Sequence, residues 1–371
     1  MGFDRARRTK ASRRRLRLAA FIAVLAAALL AACSRGLPQS SLEPAGPRAE
    51  RIDTLFQVVF WIAAGVFVLV EGAIVYVSIR YRRRKGREDA PVQIHGNTRL
   101  EIIWTVVPAL ILAGLAFPTV STIFDLSRQP RGENVLHVDV IGHQWWWEFQ
   151  YPDLDIVTAN ELHIPVGTEV ALTLQSKETP GGLAGFNDQG KPIPQNAIPV
   201  IHSFWVPRLS GKQDLVPGHV EHLSMAADEP GTYRGQCAEF CGTSHANMRL
   251  RVIAQTQADF EGWTATMQQP PAMPEPGSPA AKGAELFQNF GNGSCLACHS
   301  VDPALGGTVA PNLRGLAGRQ TFAAGLFEVN EKNLRRWLEN PRAMKPGVVM
   351  PDYGLDQEQI EAIVAYLLTL K

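Results

Sequence analysis

Three stretches of the chain are apolar almost without interruption, and the pattern after them is short and alternating. Residues 18–32 form the shortest stretch, whereas 55–79 and 102–124 each exceed the ~20 residues that a helix needs to cross ~30 Å of hydrocarbon. A two-helix membrane hairpin over 51–125 is therefore predicted. Beyond it Leu136, Val138 and Val140 alternate with His137 and Asp139, Val170, Leu172 and Leu174 with Thr173 and Gln175, and Met248, Leu250 and Val252 with Arg249 and Arg251. This period of two predicts strands with one buried face. Gly and Pro clusters at 180–182 (PGG) and 191–194 (KPIP) mark long connections, so a β sandwich or barrel is expected over 126–267. The run QQPPAMPEPGSPA at 268–280 is a proline-rich, semi-rigid spacer. A last, helical domain occupies 281–371, and the stripe Ile360, Ile363, Val364, Leu367 and Leu368 predicts a closing helix capped by Asp356 with Gln359 three residues on.

Charge sharpens this picture without changing it. The 36 basic and 35 acidic residues nearly cancel, but the positive ones concentrate at two places next to apolar runs, which points to a membrane and not to nucleic acid. Arg5, Arg7, Arg8, Lys10, Arg13, Arg14, Arg15 and Arg17 precede the first run, the layout of a secretory signal over 1–32. That run closes as LAAC, which resembles a bacterial lipoprotein cleavage box and implies lipidation of Cys33; an ordinary signal cut nearby is the alternative. RYRRRKGR at 80–87 places the turn of the hairpin in the cytoplasm and both of its ends outside. Pro108 and Pro118 inside the second span suit a helix with a protein neighbour. Glu71 in the first span either faces such a neighbour or snorkels.

Two local motifs carry chemistry. Cys295, Cys298 and His299 form C-x-x-C-H, in which two thiols bond the vinyl groups of a porphyrin and the imidazole ligates its iron. A zinc or redox C-x-x-C is the alternative. The sixth ligand is expected to be a downstream methionine, either Met350 in GVVMP or Met344 in PRAMKP, and the Met-Pro context favours Met350. Residues 237–248 read CAEFCGTSHANM and bring Cys237, Cys241, His245 and Met248 into one loop. A Cys237–Cys241 disulfide and a zinc site are both open. The methionine favours copper, and two thiolates could bridge two copper ions that share one unpaired electron.

CAEFCGTSHANM, HSFWVP at 202–207 and GHQWWWEF at 142–149 together resemble subunit II of the haem-copper oxidases, the subunit that carries CuA. With its cytochrome tail the chain looks like the caa-type cytochrome c oxidases, and the likeness spans nearly the whole mature chain. The resemblance implies a multidomain membrane protein built from a two-helix hairpin, a cupredoxin-like β sandwich or barrel and an all-α cytochrome c domain. It implies that Cys237 and Cys241 bridge the two coppers, that His202 and His245 each cap one, that Met248 is a weak ligand, and that Glu239 gives its backbone carbonyl. The Glu239 carboxylate would also reach a magnesium ion at the border with subunit I. Trp145 would mark where electrons enter from a docked cytochrome. LEIIWTVVPALIL from Leu100 resembles the start of the family's second membrane helix, which makes Glu101 the mouth of a proton path; a solvated charge at a helix N-terminus is the alternative.

The same likeness implies cofactors and partners: dinuclear copper, covalent haem c and magnesium, with subunits I and III, the lipid bilayer, and an external cytochrome c or upstream respiratory complex as donor. The copper and cytochrome domains would stand outside a bacterial cell membrane, and oxygen would be reduced in subunit I. Two departures are visible. Relatives often carry Tyr where Trp146 stands, and an Asp where this chain has Pro199. Three rivals fit less well. A nitrous oxide reductase would need a large preceding propeller, a quinol oxidase subunit II lacks the copper ligands, and a metal chaperone has no use for two spans and a haem tail.

Overall fold

The computed structural model describes residues 24, 36–82, 93, 96–132, 134–177, 199–291, 293–302 and 310–371. Nearly all of the leader, Cys33, most of the basic turn at 80–87 and the turns at 180–182 and 191–194 lie outside the described residues.

The two apolar runs form helices α1 (Pro47–Arg80) and α2 (Thr98–Leu126). Both are longer than the runs themselves. Pro47 opens α1, where its fixed φ suits a first helical turn and its missing N–H costs nothing. Asn97 caps α2 by accepting from the Arg99 and Leu100 amides. Their apolar side chains are exposed along the whole length, Phe117 at 82% and Leu69 at 72%, as befits surfaces that face lipid or other protein. The outer ends are fixed. Arg48 donates to the Asp125 carbonyl at 3.0 Å and Arg51 pairs with the Asp125 carboxylate, joining the helices at the mouth of the hairpin. Just before α1, the Ala45 amide donates to the Arg208 carbonyl and its carbonyl accepts from Asp228, tying the hairpin to the next domain.

That domain is a sandwich of two five-stranded sheets. Its strands are β1 (Leu136–His143), β2 (Trp146–Tyr151), β3 (Ile156–Ala159), β4 (Glu161–Pro165), β5 (Val170–Ser176), β6 (His202–Trp205), β7 (Lys212–Leu215), β8 (Glu221–Met225), β9 (Gly231–Cys237) and β10 (Arg249–Gln255). One sheet has the order β3-β2-β1-β5-β8 and the other β4-β10-β9-β6-β7. The pairs β1–β5 and β4–β10 are parallel and the rest antiparallel. Along β5 and β10 the alternation read from the sequence is the alternation of burial: Val170, Leu172, Leu174, Leu250 and Val252 point inward. Trp147, Phe149 and Phe204 fill the centre, with Phe204 edge-on to both other rings.

Helix α3 (Gln257–Met267) closes one end of the sandwich and stacks Trp263 on His163 with ring centroids 4.2 Å apart. Burial pushes the His163 imidazole down to about 4, against a partly compensating bond to Gln255 and assisted by nearby Arg319. The unfolded chain binds this proton near pH 6.5 and the native one only near 4, so stability is lost as pH falls through that window. The loss approaches about 3 kcal/mol once the pH lies below both values. Denaturant titrations of the detergent-solubilised chain at pH 7 and pH 4 are expected to show it, and the His163→Phe variant to lack that component.

The cytochrome domain comprises α4 (Pro279–Gln288), a 3-10 turn at Cys295–Ala297, a short ribbon of β11 (Thr321–Phe322) and β12 (Phe327–Glu328), and helices α5 (Glu331–Glu339), α6 (Pro341–Met344) and α7 (Gln357–Leu367). Asp356 and Gln359 form the expected capping box on α7. Its buried face, with Ile360, Ile363, Val364 and Leu367, packs on Phe287 of α4 and Leu334 and Leu338 of α5. This domain rests on the sandwich. Glu161, 1% exposed, accepts from the Gln320 and Thr321 amides and the Thr321 hydroxyl at 2.8–3.0 Å. Arg314 reaches back to the Thr266 and Gln269 carbonyls beside the proline-rich spacer.

Candidate metal centre

Strand pairing assembles the first cluster. β6 lies antiparallel to β9 with Phe204 opposite Cys237, which brings His202, at the start of β6, over the end of β9. The loop that follows β9 folds back on itself. The Cys237 amide donates to the Met248 carbonyl, the Met248 amide to the His245 carbonyl, and the Ala238 amide to the Ser203 carbonyl, which ties both ends of the loop. The result is a ring of donors with two sulfurs in the middle. Cys237 Sγ and Cys241 Sγ are 3.8 Å apart, far beyond the ~2.05 Å of a disulfide. His202 Nδ1 lies 3.8 Å from Cys237 Sγ, and His245 Nδ1 lies 3.6 Å from Cys241 Sγ. Met248 Sδ is 3.8 Å from Cys241 Sγ, and the Glu239 carbonyl is 3.2 Å from Cys237 Sγ. Cys237, Cys241, Met248 and His202 are all at most 4% exposed. Gly142 of β1 makes room for this: a Cβ there would lie 2.9 Å from the His202 ring.

The electrostatics suit a metal. The hydrogen bond between the two thiols holds Cys237 well below the usual thiol range and, with burial, drives Cys241 up. A cation binding here would displace the proton of that bond. His202, Cys237 and Cys241 form a tight triad whose ligand atoms lie within 4.8 Å of one another, while His245 joins from the Cys241 side. One imidazole per sulfur, with a thioether and a carbonyl alongside, offers more donors than the four of a tetrahedral zinc site. Soft sulfur and imidazole donors in this number fit a pair of coppers.

The second cluster lies in the cytochrome domain. Cys295, which opens the 3-10 turn, and Cys298, which follows it, are free thiols, both raised by burial, Cys295 to about 11. The His299 Nδ1 donates to the Pro311 carbonyl at 2.7 Å, which fixes the ring and leaves Nε2 as the ligating atom. Met350 packs with Cys295 in the cluster around Phe287 and Leu334, and its Sδ accepts from Trp337 Nε1 at 3.2 Å. Met344, at the end of α6, lies outside that cluster. Two adjacent thiols, one oriented imidazole and an inward thioether fit a covalently held haem.

Comparison with known proteins identifies the domains that carry the two clusters. Residues 38–122 match the transmembrane domain of cytochrome c oxidase subunit II, 136–255 its periplasmic domain, and 280–371 the cytochrome c family. Cytochrome c oxidase subunit 2 of Alkalihalophilus pseudofirmus is 36% identical over 338 residues, covering 90% of this chain and 91% of the relative. The chain belongs to the cytochrome c oxidase subunit II family. The subunit of Bacillus sp. strain PS3 is also 36% identical, over 366 residues and 93% and 95% of the two chains. Quinol oxidase subunit 2 of Bacillus subtilis is 32% identical over 249 residues, covering 65% of this chain and 69% of the relative. Among solved structures, the periplasmic domain of subunit II from Bradyrhizobium japonicum is 24% identical with a TM-score of 0.30, covering 38% of this chain and 96% of that one.

As a subunit II of a cytochrome c oxidase, the chain is part of a haem-copper oxidase complex, an oxidoreductase of the membrane with its sandwich and cytochrome domains outside. The family's periplasmic domain implies a CuA copper centre, and the cytochrome c domain implies haem c. The remaining residues singled out in the sequence are spread around the two clusters. Trp145 is 7% exposed and its Nε1 donates to the Cys241 carbonyl at 2.9 Å, beside Gln144, which donates to the same oxygen. Glu239 is half-buried next to Phe240, which is 73% exposed and edge-on to His245. Glu101 is exposed in the first turn of α2 and its carboxylate accepts from the Asn97 amide, so it caps its own helix. Sequence reasoning missed Gly142 as a support for His202; its place one residue before the HQWWW run was the available signal.

Proposed function

We propose that this subunit receives electrons from a donor outside the membrane and delivers them inward through two one-electron centres that its own residues hold. The observation that carries the proposal is the ring around Cys237 and Cys241, with sulfurs 3.8 Å apart and one imidazole against each. Cys237 and Cys241 would hold the copper pair between them, with His202, His245, Met248 and the Glu239 carbonyl as the further ligands. Cys295 and Cys298 would attach the porphyrin, and His299 and Met350 would ligate its iron. When bound, the copper pair and the haem supply electron carriers that change little in geometry, the haem at a potential raised by its thioether ligand.

The remaining assignments follow the same logic of placement. The Glu239 carboxylate, beside exposed Phe240, would meet a magnesium ion where subunit I covers the loop. The exposed apolar faces of α1 and α2 suit packing by subunits I and III within the bilayer. Glu101, at the cytoplasmic end of α2, suits the mouth of a proton path into subunit I. Cys33 is the proposed lipid-bearing residue of the mature N-terminus. The outside donor is a cytochrome c or an upstream respiratory complex.

The test is elemental analysis and spectroscopy of the full chain purified from a host that matures cytochromes c. Two coppers per haem iron with a mixed-valence near-infrared band are expected. A single zinc, or two loop thiols joined to each other under copper-replete conditions, would refute the assignment.

A further inference from the structure

Trp145 is enclosed from both sides. On one side is the copper loop, where a Cβ on Gly242 would lie 3.0 Å from the Trp145 Cζ2 atom and where the Cys241 carbonyl accepts from Nε1. On the other is the cytochrome domain. Gly347 has φ +77° and lies against the ring so closely that a Cβ would sit 2.8 Å from Cζ3 and 3.0 Å from Cη2. Gly347 is three residues before Met350. Around this contact Ser244 Oγ donates to the Pro346 carbonyl, the Arg249 amide donates to the Ala324 carbonyl at 3.2 Å, and Trp146 packs on Ala324.

Lys345 closes the joint. Its side chain is almost fully buried, and the ammonium donates to the Trp145 carbonyl at 2.6 Å and to the Ala323 carbonyl at 3.4 Å, one from each domain. An ammonium removed from water is tolerated only where such acceptors hold it. Separation of the domains would take away the stronger of its two bonds.

We propose that residues 345–347 form a fixed plug over Trp145, with Lys345 as its clamp, so that the cytochrome domain stays seated on the copper loop and solvent is kept from the indole. The proposal rests on the roles given above to the copper and haem residues. In it Trp145 is the covered residue at the joint: its indole touches the segment leading to Met350 on one edge and the copper loop on the other. Lys345 acts by positioning.

Hydroxyl-radical footprinting of the full, metal-loaded chain, read by mass spectrometry at Trp145, tests this. Trp145 is expected to be protected in the wild type. Its oxidation should rise about tenfold in Lys345→Met, which leaves a buried carbonyl without its donor. Gly347→Val, which forces a side chain into the ring, should produce a similar rise, and Lys345→Arg a smaller one. Copper content and the haem spectrum, measured on the same samples, should remain at wild-type values. A Trp145 that is equally reactive in the wild type, Lys345→Met and Gly347→Val would overturn the plug. A rise in Gly347→Val alone would overturn the clamp. Absence of copper from the wild type would instead count against the assignment of the metal ring, which the footprint does not depend on.

Discussion

Replacing Cys237 or Cys241 with serine is expected to yield a folded chain that carries its haem and no copper pair. Serine is close to cysteine in volume, and at 4% and 2% exposure neither site would be left with a large cavity. The loss is chemical. A hydroxyl is a harder donor than a thiolate and does not ionise near neutral pH, and each sulfur borders an imidazole that needs a metal shared with the other sulfur. Removing even an outer partner of a ligand costs roughly 10- to 100-fold in metal affinity, so loss of a bridging sulfur should cost more than about 100-fold. The copper-to-iron ratio should fall from two towards zero with the near-infrared band, while the haem spectrum persists as an internal control of folding. Retention of both coppers in either variant would mean that the sulfurs do not bridge.

What the sequence discloses and what it hides follow from how local each feature is. The membrane runs, the C-x-x-C-H motif and the 237–248 loop are continuous in sequence, so their chemistry can be read without a fold. His202 is different. Its partnership with Cys237 depends on the pairing of β6 with β9 across 35 positions, and only the family likeness pointed to it. The ends of the helices were also hidden, because the apolar run reports only the part of α1 within hydrocarbon, and the turn at Pro47 is held by polar bonds to the sandwich. The clearest case is the second half of β1 and the start of β2. His143, Trp146 and Glu148 share the face of the sheet turned away from the core, yet all are at most 8% exposed. His143 stacks on Trp146 at 4.2 Å, and Trp146 packs on Ala324 of the tail. A two-residue alternation predicts an open face there. The cytochrome domain, almost 180 residues later in the chain, covers it. Lys345 is concealed for the same reason: between Met344 and Pro346 it reads as a loop lysine, and only the docked domain makes it a buried one.

The Met350→Ala variant is expected to lose the low-spin, methionine-ligated haem spectrum, whereas Met344→Ala should keep it. The two methionines lie six residues apart in one proline-containing stretch, and in sequence only the proline directly after Met350 separates them. Packing separates them better. Met350 is half-buried and packs, like Cys295 and Trp337, against the cluster that contains Phe287, and the bond from Trp337 Nε1 to Sδ fixes the direction of its thioether. That bond also orders the loop from Gly347 to Met350 that carries the contact with Trp145. A thioether opposite histidine favours ferrous iron, so its removal should lower the reduction potential by something on the order of 0.2 V, a fraction of the ~0.8 V that axial ligation spans. A redox titration of both variants measures this directly. The same fall in potential makes the haem a stronger reductant but a poorer acceptor from an outside donor, so turnover in Met350→Ala should become limited by reduction of the haem. Spectral loss in Met344→Ala with Met350→Ala unchanged would move the ligand to the end of α6 and detach it from the segment that reaches Trp145.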